Sequence, residues 1–173
     1  MTKSAGTIFD DLEQLGSGRA FLSVLADMLE EADMFRDFSR QDVEQLATYV
    51  TAYAARRGSK VLVEGGRESY MFIVASGRVD IFKHPGDQQK EAKIATVRAG
   101  KTIGEMSVVD GLPHSGTAIV AEPAELILIT QRNLDQMIEQ NPALGAKFLR
   151  RLCALMSLRL RQTSGVLIDY IGR

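Results

Sequence analysis

The chain of 173 residues holds one cysteine, Cys153, so no internal disulfide can form and a stapled secreted scaffold is excluded. Long apolar runs are missing too. No stretch free of Asp, Glu, Lys and Arg exceeds eleven residues, against the roughly 18 that a bilayer span needs. The N-terminus, MTKSAGTIFDDLEQLG, carries acids where a signal peptide needs an apolar core. Neither sign of charge dominates: 21 Lys and Arg face 22 Asp and Glu, a net −1. That balance argues against binding nucleic acid through bulk charge. Internal repeats and low-complexity tracts are absent. What is present, 45% apolar and 25% charged residues, is the balance of a globular protein of about one domain. A soluble, reducing, cytoplasmic setting is the expectation.

The charge is balanced globally and segregated locally. Residues 1–50 carry four basic against ten acidic residues, a net −6. Residues 144–173 carry six basic residues against Asp169 alone, a net +5. The two ends attract if the fold brings them together; otherwise they are two solvated helix faces.

The periodicity divides the chain into helix, sheet and helix. Leu22, Leu25, Met28, Leu29, Ala32 and Phe35 fall at helical spacing. Ser39 with Asp42 three residues on is an acidic variant of the capping box, and predicts a second helix from Arg40 to about Thr48. Between Val50 and Thr130 glycine recurs among short β-prone runs: VTAYAA, KVLV, YMFIVA, RVDIF, KIATV, TAIVA and AELILIT. That texture predicts a sandwich or barrel rather than βαβ units. Ser76-Gly77 is read as a tight hairpin, and residues 84–89 as a polar hairpin loop. Asn141-Pro142 reads as a helix start, with Asn as N-cap and Pro in the first turn. An apolar stripe follows through Leu144, Phe148, Leu152 and Leu155 to about Gln162. The expected organisation is an N-terminal extension at 1–19, expected to be flexible, and one domain at 20–170, with helices at 20–48, a barrel at 50–130 and helices at 131–169.

One segment carries chemistry: Gly104-Glu105-Met106-Ser107, then Leu112-Pro113-His114-Ser115-Gly116-Thr117. Gly104 permits an unusual backbone or close approach by a ligand. A single helical turn after it would present unpaired backbone N–H groups to a phosphate. Glu105 is placed to accept from a sugar hydroxyl, and Ser115 and Thr117 add hydroxyls.

This segment resembles the phosphate-binding cassette of the cyclic nucleotide-binding domain family. The family pattern is Gly-Glu, a few apolar or small residues, a gap, then Pro-Arg-[Ala/Ser]-Ala-Thr. Ser76-Gly77-Arg78-Val79, Gly65-Gly66 and the helix pair from Phe35 to Leu46 resemble other family features, and the likeness covers roughly residues 28–165. It implies a mainly β fold with flanking helices (α+β), an eight-stranded jelly-roll barrel between N- and C-terminal helices. It implies that Glu105 holds the ribose 2′-hydroxyl, that the backbone at Gly104, Met106 and Ser107 lines the sugar-phosphate, that Ser115 meets the phosphate through its N–H or hydroxyl and that Thr117 lies near the base. Arg159 and Arg161, on the helix that lids the base in this family, are lid candidates. His114 departs from the pattern, since it stands where the family has the arginine that grips the cyclic phosphate; Gly116 replaces a usual alanine.

Arginine offers a permanent charge and a planar fork. Neutral histidine offers one donor, and the loss costs about 1.5–3 kcal/mol. His114 is either a phosphate ligand that regains charge beside the anion or an exposed turn residue. Glu105 is either a ribose ligand or a helix cap. His84 reads as solvated, and Cys153 as part of the core. With no nucleophile–base set and no Cys or His cluster, neither an enzyme nor a metal site is expected. The implied function is regulatory signal transduction: a sensor of cAMP or cGMP that signals through its C-terminal helix to a separate protein effector. The alternatives are a degenerate barrel serving protein interaction or assembly, and a binder of a cyclic dinucleotide. No helix-turn-helix region follows the last helix, so direct DNA binding is not expected. The stripe from Leu144 to Leu155 either pairs with a second copy as a homodimer or covers the barrel.

Overall fold

The computed structural model describes residues 8–18, 22–30, 32–84 and 91–171. Two long strands organise it. β4 (Tyr70–Lys83) and β7 (Thr117–Thr130) run antiparallel from Tyr70↔Thr130 to Phe82↔Thr117. Around them lie β1 (Glu13–Ser17), β2 (Thr51–Ala55), β3 (Lys60–Leu62), β5 (Ala92–Arg98) and β6 (Thr102–Ile103). The path is β1-β2-β7-β4-β5, with β3 paired to β7 and β6 to β4. This is the expected mainly antiparallel β architecture with flanking helices.

Two details of the sheet differ from the sequence expectation. Ser76-Gly77 is not a hairpin: β4 continues through it, and its register against β7 shifts between Val74 and Val79. Gly77 has φ +83°, and a Cβ there would sit 2.2 Å from the Pro123 carbonyl oxygen. The glycine serves a bend that β4 and β7 make together, with Pro123 on the partner strand at the same corner. TAIVA and AELILIT are likewise one continuous strand. The second difference is β1, in the segment assigned to an N-terminal extension, which pairs with β2 as the edge of the sheet. Ahead of it, a 3-10 turn at Ile8–Asp11 places Phe9 among the rings of Tyr70 (5.1 Å), Tyr53 (5.9 Å) and Phe72 (6.4 Å). His84 leaves β4 as expected; the rest of its loop, residues 85–90, lies outside the described residues.

Alternation along the strands makes two cores. Ala52, Met71, Ile73, Ile127 and Ile129 face the helices, while Tyr70, Phe72, Val74, Leu126 and Leu128 face the barrel interior. The helices are α1 (Leu22–Glu30), α2 (Arg40–Leu46), α3 (Glu105–Asp110), α4 (Gln131–Gln140) and α5 (Pro142–Ile171). The Ser39/Asp42 capping box forms, and Thr130/Asn133 makes a second one on α4. Asn141 Oδ1 accepts from the Leu144 N–H at 3.3 Å, as its N-cap role requires. α5 runs nine residues past the expected end at Gln162, about 45 Å in all.

Leu144, Phe148 and Leu152 are fully buried against α1, α2 and the sheet. The acidic and basic ends do meet: Lys147 pairs with Asp42 at 2.6 Å and Arg151 with Asp37 at 3.7 Å, while Arg151 Nε donates to the Met34 carbonyl. Cys153 is exposed rather than core, because one residue advances a helix by about 100° and turns it away from the face led by Leu152. Beyond it Leu158, Leu160, Val166, Leu167 and Ile168 are exposed. No helix among the described residues is long and apolar enough to cross a membrane.

Candidate functional site

β6 delivers the chain to Gly104, whose φ of +79° is left-handed. A Cβ there would lie 2.8 Å from the Tyr70 carbonyl oxygen and 3.3 Å from Leu62, so conformation and space both require glycine. α3 then makes six residues before Gly111 stops it at φ +69°. No side chain caps its start. Ser107 Oγ reaches the carbonyls of Gly104 (2.9 Å) and Tyr70 (3.2 Å). The serine hydroxyl therefore fixes the turn to β4.

Glu105 is 5% exposed. Its Oε1 is held by the Arg159 guanidinium from α5. The same guanidinium donates to the Thr102 carbonyl at 2.5 Å and to Thr102 Oγ1 at 3.2 Å. Burial lowers the pKa of Arg159, yet an arginine remains charged. Glu105 Oε2 is buried and has no partner. Buried carboxylate oxygens are normally satisfied, so this atom marks an open position beside a completed ion pair. Arg161, the other lid candidate, is exposed.

His114 is 5% exposed, not the exposed turn residue that was one reading of it. Its N–H donates to the Gly66 carbonyl and its carbonyl accepts from the Gly65 N–H, clamping the loop to the β3–β4 turn. The ring meets Tyr70 edge-on at 4.8 Å. Burial pushes its pKa below the ordinary value, partly opposed by a bond to the Glu68 backbone and by the Glu68 charge. Nε2 is buried without a partner. Tyr70 thus links both ends of the cassette, through its carbonyl to Ser107 and through its ring to His114. Its own hydroxyl donates to the Val61 carbonyl at 3.0 Å, and burial raises its pKa.

The remaining candidates divide. Met106 and Ser115 are exposed, with the Ser115 hydroxyl 4.0 Å from the Met106 sulfur. Thr117 is buried and its hydroxyl accepts from the Glu64 N–H at 3.1 Å. His84 is not merely solvated: Nδ1 lies 3.1 Å from Glu64 and Nε2 3.8 Å from Glu91. Sequence reasoning missed Tyr70 and Thr102. Their signal is faint, since Tyr70 begins an apolar run and Thr102 follows the turn residues Gly100-Lys101, and only the fold brings them to Glu105 and His114.

Shape does not locate the site. A cavity of about 760 Å³ is lined by residues including Asp11, Arg56, Ser76 and Glu125, and one of about 300 Å³ by Phe38, Lys147 and Arg151. Neither includes a cassette residue. Among the described residues Glu105 and His114 each bury an unpartnered polar atom, as Arg78 does at Nε.

The family model for the cyclic nucleotide-binding domain matches residues 54–141, half of the chain. The chain belongs to the cyclic nucleotide-binding domain family. A crystal structure of a cyclic nucleotide-binding domain from Methylobacillus flagellatus superposes with a TM-score of 0.83 at 30% identity, covering 96% of this chain and 93% of that one. The chain is 25% identical over 135 residues to a cyclic AMP receptor protein of Thermus thermophilus. It is 27% identical over 130 residues to a cAMP-dependent protein kinase regulatory subunit of Colletotrichum trifolii. These matches cover 78% and 69% of this chain, but only 60% and 31% of those relatives. The matched span includes Gly104, Glu105 and His114.

Proposed function

We propose that this domain is a ligand-sensing regulatory module that binds a cyclic nucleotide, cAMP or cGMP, in its barrel. It signals through α5 to a separate protein partner. The observation that carries this reading is the Glu105–Arg159 pair. The cassette carboxylate suited to a ribose hydroxyl is the one that holds the last helix. A ligand that engages Glu105 changes what Arg159 gains there, and so favours one position of α5 over another. The exposed apolar residues from Leu158 to Ile168 give that movement a surface to present. The relatives named for cAMP support the choice of ligand class.

One observation favours a second reading. His114 is buried and held toward its neutral form, which suits a barrel that no longer binds cyclic mononucleotides and serves assembly, or one that takes a cyclic dinucleotide. A thermal-shift panel of cAMP, cGMP and cyclic dinucleotides separates these. A ligand at a hundred times its Kd stabilises by about 2.7 kcal/mol, which raises the Tm by roughly 5–10 °C in a domain of this size. Glu105→Ala abolishes the shift. A shift that survives this substitution puts the ligand elsewhere, and no shift with any member of the panel supports the assembly reading.

A further inference from the structure

Away from the cassette, a cavity of about 300 Å³ opens between α5 and the turn that leads into α2. It is lined by Asp37, Phe38, Lys147, Arg150, Arg151 and Ala154. The four α5 residues recur at three and four positions, so they share one face of the helix. Leu158 and Arg161 continue that face at the same spacing, and both are exposed. From Lys147 to Arg161 the face runs about 21 Å. It lies beside the buried stripe of Leu144, Phe148 and Leu152, and Arg150, Ala154 and Leu158 on it are exposed.

This face gathers positive charge in a chain that has none to spare. Residues 144–173 hold six basic residues against one acid, while the whole chain is at −1. Contacts within the chain fix two of the cations. Lys147 lies 2.6 Å from Asp42 and 4.9 Å from the centre of the Phe38 ring. Arg151 donates from Nε to the Met34 carbonyl and stands 3.7 Å from Asp37. Asp37 is 77% exposed, so solvent screens that pair. Arg150 and Arg161 are exposed and form no ion pair among the described residues. Between these charges the half-buried Phe38 and the small Ala154 leave apolar depth.

We propose that this face of α5 docks an acidic amphipathic helix of the protein partner. Carboxylates of that helix meet Arg150 and Arg161, each guanidinium offering a planar fork to one carboxylate. An apolar side chain between them enters the cavity against Phe38 and Ala154, and its neighbour lies on Leu158, both gaining by leaving water. A nucleic acid fits the face less well. Phosphates ask for a row of unpaired cations and bases for a flat open ring. Here Lys147 and Arg151 already face acids, and Phe38 is packed under Lys147 and against Phe35 at 5.1 Å. From the reading above the proposal takes only that α5 addresses a protein partner. Arg159, about 12 Å along the same helix from Arg151, ties the face to Glu105.

The test is fluorescence anisotropy of the full chain with a labelled helical peptide of about 18 residues, long enough to span the face. The peptide carries glutamates on both flanks of a leucine stripe. Its glutamine counterpart, an oligodeoxynucleotide of equal charge and phosphatidylserine vesicles are the comparison probes. Saturable binding of the glutamate peptide is expected. Arg150→Glu weakens it at least about tenfold, the scale of one charge-assisted bond. Ala154→Trp, which fills the cavity and leaves the charge unchanged, weakens it as well. Arg57→Glu, the same charge change in the exposed β2–β3 turn, leaves it unchanged, and an unaltered Tm shows each variant folded. No binding of the glutamate peptide, equal binding of the glutamine peptide, or equal loss in Arg57→Glu overturns the proposal. Binding of the oligonucleotide or the vesicles in the peptide's place, lost in Arg150→Glu, overturns it too. None of these outcomes touches the cyclic nucleotide reading, which the thermal-shift panel decides. Peptide binding with the expected dependences, in a protein that no cyclic nucleotide stabilises, overturns that reading and leaves the docking face standing.

Discussion

Arg159→Met isolates the contact on which the coupling of site and helix depends. Arg159 makes one charge-assisted bond to a nearly buried carboxylate and a second bond to the Thr102 carbonyl. A bond to a charged group contributes about 1.5–3 kcal/mol and a neutral one about 1. The Arg159 side chain is 42% exposed, so solvent screening weakens its attraction to Glu105. The expected loss is about 2–3 kcal/mol, because the substitution leaves Glu105 buried without its cation. Glu105→Gln alone leaves a guanidinium that water can reach and costs less. The double variant Arg159→Met/Glu105→Gln removes both charges and recovers about 1–2 kcal/mol relative to the sum of the single losses. Urea unfolding at constant m value measures the cycle. A coupling below about 0.3 kcal/mol, within the additivity expected of independent sites, refutes the claim that α5 is held through the cassette.

Gly77→Ala places a methyl 2.2 Å from the Pro123 carbonyl oxygen at φ +83°, and is expected to cost more than about 3 kcal/mol or prevent folding; circular dichroism of the purified variant reads either. Phe9→Ala removes a half-buried ring packed on Tyr53, Tyr70 and Phe72 and should cost about 1.5–3 kcal/mol; an unchanged Tm would mean that the N-terminal turn does not hold the barrel. Asp42 is held below the usual carboxylate range by Lys147 and then by the Ser39 N–H. Its folded pKa is depressed, so its contribution is fully present above about pH 4, the unfolded value, and is lost as pH falls from there through the lower folded value. Asp42→Asn is expected to flatten that limb of a stability-against-pH curve, and an unchanged limb would remove the pair from the acid response.

Local signals proved legible and distant ones did not. The Ser39/Asp42 box, the Asn141 cap and the apolar strand runs are each written within a few residues, and each is in the structure. Gly104-Glu105 is a weak signal by itself and stands out because the segment around it resembles the family's phosphate-binding cassette. The bend at Gly77 was misread because a hairpin and a bent continuous strand ask for the same residue. β1 was missed because EQLGS neither alternates nor carries β-branched residues, and pairing with β2 makes it a strand. The Arg159–Glu105 bond spans 54 positions, and the burial of His114 depends on Tyr70, far upstream. No window along the chain contains such pairs. Cys153 was placed one helical step from its true face, an error that periodicity permits when a stripe is read loosely.

The pairing of β4 with β7 also bears on how the chain reaches its native state. Its nearest partners in sequence, Phe82 and Thr117, are 35 positions apart, and its farthest, Tyr70 and Thr130, are 60 apart. The helices at either end can form from neighbours alone, whereas the zipper must first close a long loop, the slower kind of event. Gly104, Glu105 and His114 lie inside that loop, so they are brought together only after closure. Closure entropy grows by only about 0.6 kcal/mol for each doubling of loop length. The stretch between β4 and β5 is therefore a place where the barrel can accept added residues at little thermodynamic cost.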